Sequence, residues 1–198
     1  MTNTFIYGCM GSEKTCELVR LAKMDMDLGR KIIGFKPKKD DRSINGSGLD
    51  RTFIASRIGI SIPAELMEAD EMIKYIDEHP EIKTVAISEI HLFGNKGAML
   101  IDLVKKYDKN PDKKIILDGL IRDFRGEAFP FGDSGRYVSD VMPFARNIEK
   151  EGKYTINLGK EKVNIVKEHI TVTREVPAPY VEGKFKNLSR SKILYRLN

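Results

Sequence analysis

Lys14 and Thr15 close a stretch, residues 8–15, that reads Gly-Cys-Met-Gly-Ser-Glu-Lys-Thr. A glycine, four residues, then Gly-Lys-Ser/Thr is the spacing of a loop that wraps nucleotide phosphates. In such a loop the backbone N–H groups and the lysine ammonium face phosphate oxygens, and the final hydroxyl faces Mg²⁺. The pattern holds at Gly8, Lys14 and Thr15 and fails at the second glycine, where Glu13 stands. Gly11 and Ser12 lie inside the loop, where their amides would line the phosphate site. Glu13 raises two objections. A side chain there obstructs a turn that glycine makes freely. A carboxylate about 4 Å from a phosphate oxygen also meets a repulsion of roughly 4 kcal/mol at an effective dielectric near 20. On that reasoning nucleotide affinity falls by orders of magnitude unless Glu13 turns away or is paired.

The elements around the loop suit it. Residues 4–7, Thr-Phe-Ile-Tyr, form a short apolar run fit for a buried parallel strand. Residues 14–28 carry Leu18, Leu21 and Ala22 at helical spacing, and Gly29 marks the stop. Strand, glycine-containing loop, helix puts the helix N-terminus and its free N–H groups against the phosphates.

Composition sets bounds on the rest. The chain has 198 residues, 41% of them hydrophobic, enough for one substantial core and a small appendage. Net charge is +5, with 34 basic residues set among 29 acidic ones, so a nucleic-acid partner is allowed but not required. Much of the surplus falls on Lys184, Lys186, Arg190, Lys192 and Arg196, a tail that reads first as a solvated surface. Cys9 and Cys16 cannot make a four-thiolate zinc site or a disulfide framework. No apolar run is long enough for a membrane span and no leader pattern opens the chain, so a cytoplasmic location is expected.

Along the chain, strand and helix patterns alternate to about residue 145. Strands are expected at 31–35, 84–87 and 114–117, strand character at 51–62, helices at 63–78 and 96–107, and a short helix within 133–148. Residues 37–50 and 120–135 read as loops. Such alternation predicts an α/β fold built on a mainly parallel sheet flanked by helices. After residue 150 the pattern changes. Residues 153–158 and 163–166 flank Gly159-Lys160-Glu161 as a hairpin, with β-like residues at 168–176. Two domains are expected, an α/β domain over 1–148 and a small β-rich segment with a basic tail over 149–198.

Four ordered motifs give the chain a family likeness. After the loop come Lys36-Pro37 with Asp40-Asp41-Arg42, then Ile87-Ser88-Glu89-Ile90-His91-Leu92-Phe93. Asp118-Gly119-Leu120 and Asp123-Phe124-Arg125-Gly126-Glu127-Ala128-Phe129 follow. In this the sequence resembles the thymidine kinases of the tetrameric, zinc-bearing type. The resemblance implies transfer of the ATP γ-phosphate to the 5′-hydroxyl of a deoxynucleoside, chemistry that is mostly positioning and charge neutralisation. It implies Lys14 on the phosphates and Thr15 on Mg²⁺, with Gly8, Gly11, Ser12, Asp40 and Arg42 at the nucleotide. It also implies Glu89 as general base, and Phe124, Arg125 and Phe129 at the nucleoside. Asp40 and Arg42 read equally as a loop salt bridge, and the phenylalanines equally as core. A homotetramer is implied as well.

The departures from that family are as specific as the matches. Ser88 stands where the resemblance expects an aspartate that organises hydrated Mg²⁺, and serine brings no charge. His91 and Leu92 stand for Gln and Phe, and Ile121 and Arg122 for Asp and Met. The family's zinc cysteines are absent, so no zinc is expected, and His79, His91 and His169 read as scattered surface or capping residues. Two readings stay open: an active, divergent deoxynucleoside kinase using Mg²⁺ with ATP, or a catalytically silent relative kept as a binding or regulatory protein. A third gives the basic tail a nucleic-acid role.

Overall fold

The computed structural model describes residues 3–40, 52–56, 58–108, 110, 112–123 and 125–150, and the backbone of 154–158, 161–165, 170–171 and 196–197. The main unit runs β1 (Thr4–Gly8), α1 (Lys14–Asp27), β2 (Ile32–Lys36), β3 (Phe53–Ala55), β4 (Ser61–Leu66), α2 (Ala69–Glu78), β5 (Thr84–Ile87), α3 (Met99–Tyr107), β6 (Lys114–Gly119), β7 (Arg146–Lys150). The seven strands form one sheet in the order β3-β4-β2-β5-β6-β1-β7. Every neighbouring pair is parallel except β3 with β4. The expected α/β fold is therefore present, with one antiparallel edge strand.

The sheet's two faces follow from its apolar strands. Ile6, Ala86 and Ile116 pack with Leu18, Val19 and Ala22 of α1. Their chain neighbours Phe5, Val85, Ile87, Ile115 and Leu117 point the other way, onto Met72 and Ile76 of α2 and Leu100 and Val104 of α3. Strands covered on both faces must be apolar throughout, which is why 84–87 and 114–117 read as continuous runs. Burying each such side chain contributes about 1.5–3 kcal/mol. At the N-terminal edge of the sheet, Asp25 of α1 accepts from Thr84 Oγ1 at 2.7 Å and pairs with Lys114 Nζ at 3.1 Å. That clamp ties the C-terminal half of α1 to the starts of β5 and β6. Gly29, in the left-handed region at φ 76°, ends the helix as expected, its N–H on Met26 O.

Three boundaries differ from the sequence expectations. The helix expected over 63–78 starts only at Ala69, because residues 61–66 continue the sheet as β4. Ile62 and Ala64 are buried while Pro63 and Glu65 are exposed, a two-residue alternation. Pro63 mimicked a helix start. It sits instead within β4, opposite Phe53 and one residue before the register with β2 begins at Ala64. α2 begins after Glu68, whose N–H is capped by Glu71 Oε2 at 2.9 Å. The helix expected from residue 96 opens as 3₁₀ turns over Gly94–Ala98, and the short helix within 133–148 is 3₁₀ over Val138–Phe144, followed by β7. β7 belongs to the main sheet and runs to Lys150.

Beyond it, β8 (Tyr154–Leu158) and β9 (Glu161–Ile165) pair antiparallel as the expected hairpin. The turn residues Gly159 and Lys160 lie outside the described residues. β10 (Ile170–Thr171) pairs with β11 (Arg196–Leu197), again antiparallel. Lys184, Lys186, Arg190, Lys192 and His169 lie outside the described residues.

Candidate functional site

Because β1, β5 and β6 run parallel, their C-terminal ends share one edge, and the chemistry-bearing residues collect there. This is where open α/β sheets present ligand sites. β1 ends at Gly8, whose φ of 147° needs glycine; a Cβ there would collide with Lys150 O of β7 and crowd Ser12 Oγ. The chain then turns through exposed Gly11, at φ 78°. Ser12 is buried, and its Oγ has no hydrogen-bond partner among the described residues. Lys14 is folded back into the loop, 6% exposed, with Nζ donating to Cys9 O at 2.7 Å.

Glu13 keeps the turn rather than abolishing it. It adopts the left-handed conformation that glycine would, at φ 63° and ψ 26°, and serves as the N-cap of α1 without a side-chain cap bond. That costs a non-glycine residue about 1–2 kcal/mol. Its side chain is exposed, so the dielectric of water governs its repulsion of a phosphate: about 1 kcal/mol at 4 Å rather than about 4. The obstruction expected from the sequence thus becomes a strain cost and a modest charge cost.

At the ends of β5 and β6, Ser88, Glu89 and Asp118 meet. Asp118 is fully buried and Glu89 9% exposed. Glu89 stands in the left-handed region, φ 55°, at a sharp turn from β5 into the 3₁₀ turn Ile90–Leu92. Strain of this kind, about 1–3 kcal/mol, persists where surroundings over-determine it. Here Asp118 Oδ1 accepts the Glu89 N–H at 2.6 Å and the Ser88 hydroxyl at 3.1 Å. Burial, and the negative charge of Glu89, push the Asp118 carboxyl up to about 6, against the pull of the Glu89 N–H, Lys14 and Thr15. The Thr15 hydroxyl is near enough to weigh on Asp118, yet Oδ2 of that carboxylate has no partner in hydrogen-bond geometry among the described residues.

His91 completes this corner. The Leu120 N–H donates to Nδ1 at 3.3 Å, and Nε2 lies 3.3 Å from Glu89 Oε2. The network therefore assigns the proton to Nε2, which donates to the carboxylate. Phe129 packs edge-on against the ring, centroids 4.8 Å apart. His91 was expected as a surface or capping histidine; it is buried, 7% exposed, against the proposed base. His79 does cap, its Nδ1 on Tyr75 O at 2.8 Å and its ring stacked on Tyr75.

The structure thus gathers Gly8, Gly11, Ser12, Lys14, Thr15 and Glu89 at one edge, and reaches Phe129 through His91. Asp40 is buried and paired with Lys36 Nζ at 3.3 Å, at the end of β2. Arg125 is exposed and spans Asp123 and Glu127, both at 2.9 Å. Asp123 shapes that turn, with Oδ1 accepting the N–H groups of Arg125 and Glu127. Arg42 and Phe124 lie outside the described residues. Two residues gain a place that the sequence did not give them, Asp118 and His91. The available signal for Asp118 was a carboxylate ending the apolar run Ile115-Ile116-Leu117, where burial would demand a reason.

Among the described residues no group of three or more His, Cys, Asp or Glu could hold a metal by itself, and neither Cys9 nor Cys16 is in a disulfide. No described helix is long and apolar enough to cross a membrane.

Comparison with known proteins points to one family. The family model for thymidine kinase matches residues 1–151. The thymidine kinase of Roseiflexus sp. (strain RS-1) is 27% identical over 146 residues, 73% of this chain and 68% of that protein. That of Ureaplasma parvum serovar 3 is 32% identical over 149 residues, 73% of this chain and 59% of that protein. That of Onion yellows phytoplasma (strain OY-M) is 32% identical over 129 residues, 64% of this chain and 55% of that protein. The chain thus spans between 55% and 68% of the length of these relatives. The family match stops at residue 151, next to the end of the main sheet at Lys150.

Proposed function

The chain belongs to the thymidine kinase family, and from that premise we propose that it transfers the γ-phosphate of ATP to the 5′-hydroxyl of a deoxynucleoside. The observation that carries this reading is the convergence of Lys14, Thr15 and Glu89 on one sheet edge, with Asp118 within electrostatic reach of all three.

Lys14 releases Cys9 O and binds β- and γ-phosphate oxygens, neutralising charge that spreads over the transferring group. The N–H groups of the loop and of the first turn of α1 hold the remaining oxygens. The hydroxyl of Ser12, without a hydrogen-bond partner among the described residues, and the hydroxyl of Thr15 are further donors that the loop can offer. Mg²⁺, if bound with ATP, would supply neutralisation of the phosphate charge. The donor set here suits it, because Mg²⁺ takes few protein ligands and completes its shell with phosphate and water. Thr15 is the residue that would hold it. Glu89 accepts the 5′-hydroxyl proton as the oxygen attacks phosphorus. His91 fixes the Glu89 carboxylate through Nε2–H, and Asp118 fixes its backbone through the N–H. Phe129, packed on His91, walls the nucleoside side, where Phe124 and Arg125 are the further candidates. Asp40 acts through its pair with Lys36, with Arg42 following in sequence.

The test is direct. Purified protein with Mg²⁺, ATP and a panel of deoxynucleosides should yield a 5′-monophosphate, seen by chromatography, and Lys14→Ala should abolish it. Absence of any product across the panel, with the protein folded, would favour the silent relative instead.

A further inference from the structure

The carboxylate expected at position 88 is missing, yet a carboxylate stands beside it. β5 and β6 pair with Ile87 opposite Leu117, so the next step of the register puts Ser88 alongside Asp118. The Ser88 hydroxyl donates to Asp118 Oδ1 at 3.1 Å and the Glu89 N–H to the same oxygen at 2.6 Å. Oδ1 is thereby saturated by the end of β5. Oδ2 is different: it is enclosed, has no hydrogen-bond partner among the described residues, and belongs to a side chain with no solvent exposure. A buried carboxylate oxygen left without a donor carries a large desolvation cost. A strand needing only an anchor for the Ser88–Glu89 turn could use a neutral amide. The groups that act on this carboxylate are Glu89, on the β5 side, and Lys14 and Thr15, from the phosphate loop.

We propose that Asp118, presented from β6, supplies the Mg²⁺-orienting carboxylate that Ser88 on β5 cannot, with Oδ2 facing the metal of Mg·ATP next to the Thr15 hydroxyl. The inference rests on the kinase reading above and adds which strand carries the charge. The carboxylate has moved one strand across the sheet, and Ser88 has become the donor that orients it. Oδ1 sets the turn that presents Glu89, and Oδ2 serves the metal, so one side chain ties the metal to the base.

Calorimetric titration of the full chain with ATP, in Mg²⁺ and then in EDTA, tests it without turnover. The natural protein binds ATP more tightly with Mg²⁺. Loss of a group that orients a bound metal typically lowers metal affinity ~10–100-fold, and Asp118→Asn removes a gain of that order while leaving metal-free ATP affinity unchanged or higher. Ser88→Ala, which keeps the carboxylate and the Glu89 N–H but loses one orienting donor, retains most of the gain. The exchange of positions, Ser88→Asp with Asp118→Ser, restores it. If Asp118→Asn fails to fold by circular dichroism, the exchange variant decides alone: a folded exchange variant without the Mg²⁺ gain overturns the inference. So does an unchanged Mg²⁺ gain in Asp118→Asn, with the ATP site still standing. A natural protein that binds no ATP in either condition overturns the kinase reading and this inference together, a pattern distinct from the others.

Discussion

Replacing Glu13 by glycine separates the two costs that this residue places on the loop. Its backbone occupies the left-handed region at φ 63°, which disfavours a non-glycine residue by about 1–2 kcal/mol. Glycine relieves that, but adds back about 0.5–1 kcal/mol through the greater freedom of the unfolded chain. Glu13→Gly should therefore stabilise by ~0.5–1 kcal/mol, raising Tm by roughly 1–4 °C for a chain of this size. Its exposed carboxylate repels a phosphate by about 1 kcal/mol, so ATP should bind about fivefold tighter. Glu13→Ala removes the charge and keeps the strain. It should match the glycine variant in ATP affinity without its rise in Tm. Scanning calorimetry and ATP titration of the three proteins side by side give both quantities. A lower Tm for Glu13→Gly would refute the strain argument. A hundredfold gain in ATP affinity would refute the charge argument, because only a desolvated carboxylate repels that strongly.

Other expectations follow from the same geometry, from the cysteine content and from the family resemblance. His91→Ala should leave Glu89 without the Nε2–H donor and lower kcat more than it changes KM for the nucleoside, while His91→Gln, which keeps a donor, should recover part of the loss; equal losses in both would count against the contact. The raised carboxyl of Asp118, about 6 against 3.8, means that the folded state binds the proton more tightly than the unfolded one. In metal-free protein this group makes stability fall as pH rises from about 4 to 6, and Asp118→Asn should remove that fall and be the more stable form at pH 7; identical pH profiles by chemical denaturation would contradict it. Elemental analysis of untagged protein should find no zinc, and one zinc per chain would refute that. Light scattering should report a homotetramer, and a monomer at micromolar concentration would overturn it.

The sheet was legible because its strands announce themselves. Residues 84–87 and 114–117 are apolar runs that only a doubly covered strand requires, and Gly8 with Lys14 could sit in few places but a strand-to-helix turn. The hairpin around residues 159–161 was legible from its flanking β-like runs. Residues 63–66 were not, because proline before an amphipathic stretch has the look of a helix start while its burial alternates with period two. At the candidate site, motifs name Lys14 and Glu89, and both lie at the C-terminal edge of the sheet. Asp118 and His91 depend on which strand ends lie side by side. That is a fact of register, and a linear sequence shows Ser88 and Asp118 thirty residues apart. Glu13 was legible as an anomaly, but its exposure, which sets its electrostatic weight, was not.

The central claim is that Glu89, held by His91 and Asp118, serves as the base of a working phosphotransfer site. Transfer of labelled γ-phosphate from ATP to thymidine, measured for the natural protein and for Glu89→Gln, tests it most directly. The natural protein should transfer the label, and Glu89→Gln should lose ~10²–10⁴ in kcat with ATP binding retained. Equal rates for the two proteins, or no transfer by either while both bind ATP, would contradict it.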